Sequence, residues 1–186
     1  MNSDLQASLR RRKPSRHTAQ LAKRSPDSLA HWDKLKIAGP LVLLLDTNVY
    51  IHRAAGRLPT PLRELIDRAL LFHCSVALAE LAIGVGNADP AGPKWPALRD
   101  HYSELFKSVP ASRLLTPDAQ TWVDGGLISG VLARTQRFQP YQRKECLNDA
   151  LILLTAAKAG MAVLTSNRGE FDLIQQIAPE VQFVYY

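Results

Sequence analysis

The sequence predicts an α/β domain built on a mostly parallel sheet, and three observations carry that expectation. Leu41–Leu45 is an uninterrupted apolar run that stops at Asp46, which suits a short strand covered on both faces. Helical patterns with start chemistry, Thr60-Pro61 and Thr116-Pro117-Asp118, separate the apolar runs. Gly160 closes an apolar helix and is followed at once by another strand-like run, Ala162–Thr165.

Taken in order, residues 1–24 are polar, basic and aperiodic, and read as a mobile arm. Ser25-Pro26-Asp27 starts a short helix to Lys36, which Gly39-Pro40 ends. Beyond the Asp46 strand, a helix is expected from Thr60 to about Leu71, with Leu62, Leu65, Ile66 and Ala69 on one side. His73–Val76 forms a second short strand, Ala77–Gly84 a helix, Gly86–Pro93 a loop and Trp95–Lys107 a helix. Arg113–Leu115 is a third strand, and Asp118 caps a helix to about Ala133. A polar segment, Arg134–Asn148, leads into the helix Asp149–Ala159, and a last helix follows Asn167. Val181–Tyr185 alternates as an edge strand. The division is therefore a basic extension, 1–40, and a domain, 41–186.

A chain of 186 residues fits one domain and an appendage, and 46% hydrophobic with 22% charged residues is ordinary for a globular protein. The net charge of +6 is local: residues 1–40 hold nine Lys and Arg against three Asp, leaving 14 of each sign in 41–186. The basic extension either grips nucleic acid or an acidic partner, or is a solvated tail. Cys74 and Cys146 have neither metal-type nor disulfide spacing, which fits a cytoplasmic protein. No apolar segment follows Arg10–Arg12 to make a secretory signal. The longest apolar stretch, Ala150–Thr165, is interrupted by Lys158 and Gly160, so no membrane partner is expected.

Three acids stand out. Asp46 lies at the carboxyl end of its strand, where open α/β sheets bind ligands, although Asp-Thr-Asn also suits a plain polar turn. Glu80 shares a helix face with Val76, Ala77, Ile83 and Gly84, with no Lys or Arg within four positions. Asp149 stands beside Ile152, Leu153 and Ala156 and opposite Lys158, so it faces inward unless it merely caps its helix. Asn167 and Glu170 have the spacing of a capping box, and Asp172 lies further round the same helix, toward solvent. Three ionised groups ~4 Å apart would repel by about 4 kcal/mol per pair at an effective dielectric of ~20. Convergence of Asp46, Glu80 and Asp149 therefore requires protonation or a bound cation. An all-oxygen site without His or Cys selects Mg²⁺ or Mn²⁺, the apparatus of phosphodiester hydrolysis.

Leu-Leu-Asp-Thr-Asn, Ala-Glu-Leu-Ala-Ile-Gly, Asn-Asp-Ala-Leu-Ile and Thr-Ser-Asn-Arg-Gly-Glu-Phe, in this order, resemble the motifs of PIN-domain nucleases, and among these the VapC-type toxins of bacterial toxin–antitoxin pairs. The resemblance spans about Leu41–Tyr185. It implies a three-layer α/β/α sandwich and a Mg²⁺- or Mn²⁺-dependent endoribonuclease acting on single-stranded RNA (tRNA, rRNA or mRNA). It also implies a homodimer neutralised by a cognate antitoxin. Asp46, Glu80 and Asp149 match the metal-binding and catalytic acids. Asn167 stands where many members have a fourth acid, and Glu170 where another precedes Phe. Thr47 and Thr165 match supporting hydroxyls. The amide at Asn167 weakens a second metal position, and the 40-residue extension departs from the family pattern. Arg134, Arg137, Arg143 and Lys144, interleaved with Phe138 and Tyr141, suit a single strand of RNA or form an ordinary polar loop. Two alternatives stay open: an RNA-binding scaffold with weak or lost catalysis, and a DNA-directed structure-specific nuclease.

Overall fold

In a computed structural model, residues 3–35 and 39–186 are described. Five strands form one parallel sheet in the order β3-β2-β1-β4-β5. They are β1 (Val42–Leu45), β2 (Leu70–Cys74), β3 (Leu114–Leu115), β4 (Ala162–Thr165) and β5 (Gln182–Tyr185). Eight helices flank the described sheet: α1 (Leu5–Arg12), α2 (Thr47–Ala54), α3 (Thr60–Arg68), α4 (Ser75–Gly86), α5 (Trp95–Ser108), α6 (Ala119–Gln136), α7 (Pro140–Lys158) and α8 (Arg168–Ile177). This is the three-layer α/β/α arrangement of PIN-like domains. Among the described residues no helix is long and apolar enough to cross a membrane.

The central position of β1 explains its sequence. Leu43, Leu44 and Leu45 are nearly inaccessible because β2 and β4 pair on either side and helices cover the faces. The chain proceeds from β1 outward to β2 and β3, then crosses to β4 on the other side of β1. The order thus reverses between β1 and β4, and the carboxyl ends of strands at such a reversal are where open α/β sheets bind ligands. Asp46 and Thr165 both stand at that switch point.

Several expected boundaries move. The second strand begins at Leu70, earlier than His73, because α3 stops at Arg68 and the chain pairs with β1 at once. The polar segment 134–148 is helical at both ends: α6 runs to Gln136, Arg137 turns left-handed at φ 58°, and α7 begins at Pro140. Gln139 and Gln142 form a capping box there, so Asn148 and Asp149 lie inside α7 and cap nothing. The helix expected over Asp27–Lys36 is instead two single turns, Pro26–Ser28 and Trp32–Lys34, with Lys36 outside the described residues.

The larger difference is the extension. Residues 3–35 lie against the domain, with no free arm among them. Asp4 caps α1, which packs on α6, and Ser8 and Arg12 are buried. Their partner is Asp124, 1% exposed, which accepts from the Ser8 hydroxyl, from Arg11 at 2.5 Å and from Arg12 at 3.0 Å. Arg12 also meets Glu180 at 2.5 Å. Further on, Arg24 donates through its backbone N–H (2.7 Å) and its Nε (2.5 Å) to Asp172. Asp172 is therefore buried under the extension rather than solvated. Ala30 accepts from the Tyr185 N–H at 3.0 Å, and His31 bridges Tyr185, so the extension also covers the β5 edge.

Candidate active site

Asp46 ends β1 and caps α2, with 2% of its surface exposed. The polar-turn alternative is half met, since the Thr47 N–H donates to Asp46 Oδ1 at 2.7 Å. The other oxygen, Oδ2, accepts from the Thr165 hydroxyl at 2.7 Å and from Asn48 Nδ2 at 3.0 Å. Thr165 is itself buried at the end of β4, so neighbouring strands fix the carboxylate.

Glu80, half-buried on α4, accepts from the Thr47 hydroxyl and from Asn148 Nδ2 at 2.7 Å. Asp149, the next residue on α7, is buried and accepts from Asn167 Nδ2 at 3.0 Å. The same amide nitrogen donates to Glu170. Asn167 thus makes no side-chain cap for α8 and ties two carboxylates together instead. Thr165 holds the loop, accepting the Asn167 N–H at 2.8 Å.

The electrostatics follow from burial without cationic partners. Among the described residues, neither Asp46 nor Asp149 pairs with Lys, Arg or His. Desolvation pushes Asp46 up to about 6, against its hydrogen bonds to Thr165 and Thr47, with the Glu80 charge adding to the rise. Asp149 is pushed up by desolvation, then by the charges of Asp46, Glu170 and Glu80. Tyr186, whose hydroxyl meets His52 Nδ1 at 2.9 Å, is pushed up to about 12 by burial, partly offset by Ser166, with the Asp46 charge adding to the rise.

The four acids therefore gather at one place, interleaved with neutral donors. They do not close on a single point: among the described residues, no three His, Cys, Asp or Glu side chains are grouped so as to hold one ion. A small hard cation does not need three. Mg²⁺ is commonly held by one or two carboxylates and several waters. Asp46 and Asp149 offer buried, unpaired negative charge and oxygen donors only, so the donor set fits such an ion.

The cationic candidates lie apart from the acids. Arg143 and Lys144 line a 640 Å³ groove between α6 and α7, beside Gly126, Ser129 and Gly130. Lys144 stands one helical turn before Asn148, whose amide bonds Glu80, so the groove leads toward the cluster. Arg137 is exposed at the end of α6. Arg134 holds the extension, donating to the carbonyls of Pro14 (3.0 Å) and His17 (2.9 Å). Asn48 and Asn148 belong to the Asp-Thr-Asn and Asn-Asp-Ala-Leu-Ile stretches, but nothing in the sequence marks their amides as donors to Asp46 and Glu80. Asp124 could have been suspected, because no basic residue precedes Arg134 on its own helix.

The geometry defines a PIN-like domain with its acids at the β1/β4 switch point. Solved structures place it further. A chain of VapBC2 from Rickettsia felis, described as bound to a DNA fragment from the promoter, matches at 18% identity and a TM-score of 0.55, covering 78% of this chain and 99% of that one. VapBC-1 from nontypeable Haemophilus influenzae matches at 22% and 0.54, covering 77% and 96%. VapBC-5 from Mycobacterium tuberculosis, a member of the VapBC family of toxin–antitoxin systems, matches at 24% and 0.52, covering 79% and 100%. At these identities the likeness establishes the fold, which this chain shares with toxin–antitoxin structures. No protein-family model and no curated protein matches the chain.

Proposed function

We propose that the protein is a Mg²⁺- or Mn²⁺-dependent endoribonuclease that hydrolyses single-stranded RNA as the toxin of a toxin–antitoxin pair. One observation carries this: Asp46 and Asp149 are both buried, the Asp46 charge reaches Asp149 and pushes it up, and neither has a cationic partner among the described residues. Such charge is costly unless a cation joins it. The neighbouring VapBC structures support the toxin role and a cognate antitoxin. A cytoplasmic homodimer is the state in which we expect it.

Asp46 and Asp149 would hold the ion, with Glu80 beside them. When bound, the ion lowers the pKa of a coordinated water and polarises the phosphoryl oxygen. The chain's own residues do the remainder. Thr165 and Thr47 fix the Asp46 carboxylate; Asn148 and Thr47 fix Glu80; Asn167 holds Asp149 and Glu170 in register. Glu170 or Glu80 accepts the proton of the attacking water, the P–O3′ bond breaks, and O3′ takes up a proton. The products are a 5′-phosphate and a 3′-hydroxyl. Arg137, Arg143 and Lys144 meet the phosphates of the strand on its way to the acids.

The test is incubation of the purified protein with tRNA, mRNA and single-stranded DNA in Mn²⁺, then in EDTA. The proposal predicts RNA cleavage in Mn²⁺ that EDTA and Asp149→Asn both abolish, the variant remaining folded. Cleavage at wild-type rate by the variant would overturn it. Binding of RNA without cleavage would favour the scaffold alternative, for which the interleaved neutral amides speak.

A further inference from the structure

The charges that act most on Asp46 and Asp149 belong to other carboxylates: Glu80 on both, with Asp46 and Glu170 on Asp149. Contacts that a polyanion makes beside these acids therefore have to come from neutral groups. One neutral pair stands at the site. Tyr186, just past β5, donates its backbone N–H to the Thr165 carbonyl at 3.2 Å. The Thr165 hydroxyl in turn donates to Asp46 at 2.7 Å and accepts the Asn167 N–H at 2.8 Å. Tyr186 is thus tied to the short loop whose residues hold Asp46 on one side and Asp149 on the other. The Asp46 charge acts on its phenol, and the Ser166 hydroxyl of the same loop bonds it.

His52 reaches Tyr186 from another element. It lies on the second turn of α2, the helix that Asp46 caps. Its Nδ1 meets the Tyr186 hydroxyl at 2.9 Å, and the rings stand edge to face with centroids 5.9 Å apart at 84°. Both residues are half-buried, so they are held in place without being enclosed. Among the described residues neither ring meets a further aromatic ring, and His52 Nε2 makes no hydrogen bond. Where the tyrosine hydroxyl donates to Nδ1, Nε2 carries a proton to offer; where it accepts, Nε2 is an acceptor. Either tautomer leaves one hydrogen-bonding atom beside two aromatic surfaces. Splayed bases of single-stranded RNA are held by that combination, stacking on Tyr or His and bonding through an edge. The sugar–phosphate backbone has no flat face to lay there.

We propose that Tyr186 and His52 form a base-binding subsite that positions the nucleotide next to the scissile phosphate. The proposal rests on the nuclease function inferred above and adds a contact to a base, where Arg143 and Lys144 meet phosphates only.

The experiment uses the full-length protein and an end-labelled single-stranded RNA oligonucleotide of mixed sequence. The bond that wild type cleaves in Mn²⁺ is mapped, and strands with one abasic ribonucleotide on either side of it are compared with the intact strand. Loss of the base on one side is expected to lower kcat/KM for wild type about tenfold, chiefly through KM, the effect of losing one base–aromatic stack. Tyr186→Leu keeps the bulk without the aromatic ring. It is expected to lose as much on the intact strand and nothing further on the abasic one, the non-additivity of two partners in contact. His52→Ala should show the same pattern, and it carries the test if Tyr186→Leu melts early in a thermal scan. Trp122→Ala removes an exposed ring from α6 and should match wild type on every strand. Additive losses in Tyr186→Leu and His52→Ala would overturn the proposal and reduce the pair to a prop for the Thr165 loop. Wild type indifferent to the base on either side would overturn the subsite and leave the nuclease reading standing. Wild type that cleaves no RNA would overturn the nuclease reading and the subsite with it.

Discussion

Replacing Asp46 by Asn should stabilise the metal-free protein while abolishing its activity. Burial raises this carboxyl from 3.8 to about 6. The folded state therefore binds the proton more tightly than the unfolded chain, and stability falls as pH rises through that window. At pH 7.5 the ionised carboxylate costs the fold about 3 kcal/mol, and at pH 4.5 about 1 kcal/mol. Asparagine keeps one acceptor for the Thr47 N–H, and the Thr165 hydroxyl can reverse, but the Asn48 amide loses its acceptor. That loss costs about 1 kcal/mol at either pH. The net expectation in EDTA is a gain of about 2 kcal/mol at pH 7.5 that shrinks to about zero at pH 4.5. Urea denaturation followed by far-UV circular dichroism measures both. Mn²⁺ should then reverse the order, since an ion that binds only the folded wild type adds stability by mass action. A variant less stable than wild type at pH 7.5 in EDTA, or a difference independent of pH, would refute the reasoning.

Asn167→Asp should lower the melting temperature in EDTA, because a donor that joins Asp149 and Glu170 becomes a further repelling charge; its rise on adding Mn²⁺ should exceed that of wild type in the same thermal scan. Arg12→Ala should cost about 2–3 kcal/mol in urea, the loss of a buried charged hydrogen bond to Asp124, which keeps Arg11 and Ser8; a loss below 1 kcal/mol would mean that α1 is dispensable. Asp124 also predicts a pH dependence. Burial opposes its ionisation, but the Ser8 hydroxyl and the Arg12 and Arg11 guanidiniums outweigh burial and hold it below the usual carboxylate range. Its contribution is thus complete above the unfolded value of about 3.8 and is lost as pH falls through the lower folded value. Wild type and Arg12→Ala should therefore converge in stability in strong acid.

The site was legible where an acid interrupted an apolar pattern. Asp46 ends the β1 run, and Asp149 lies opposite Lys158 on a helix whose other neighbours are apolar; both are buried at the switch point. Glu80 lacked a local cation and found its partners at Thr47 and Asn148. The capping reading of Asp149 failed because α7 starts at Pro140, and polar residues on its first turns masked the helix. The extension was illegible for a different reason. Its basic residues look solvated in composition, but Asp124 and Asp172, which hold Arg11, Arg12 and Arg24, lie more than a hundred residues away in sequence. Local pattern cannot pair charges across that distance. Arg134, which in sequence suited either an RNA contact or a polar loop, is hidden in the same way, since its guanidinium holds the Pro14 and His17 carbonyls.

The central claim is that one divalent ion joins carboxylates brought together from β1 and α7. Crystals grown in MnCl₂ and measured at the manganese edge test it most directly. The account predicts an anomalous peak bonded to Asp46 and Asp149 at about 2.0–2.4 Å, from the oxygen distance of Mg²⁺ to the short end of that of Ca²⁺. A map with full manganese in the solvent, those two carboxylates ordered and no peak between them would contradict it.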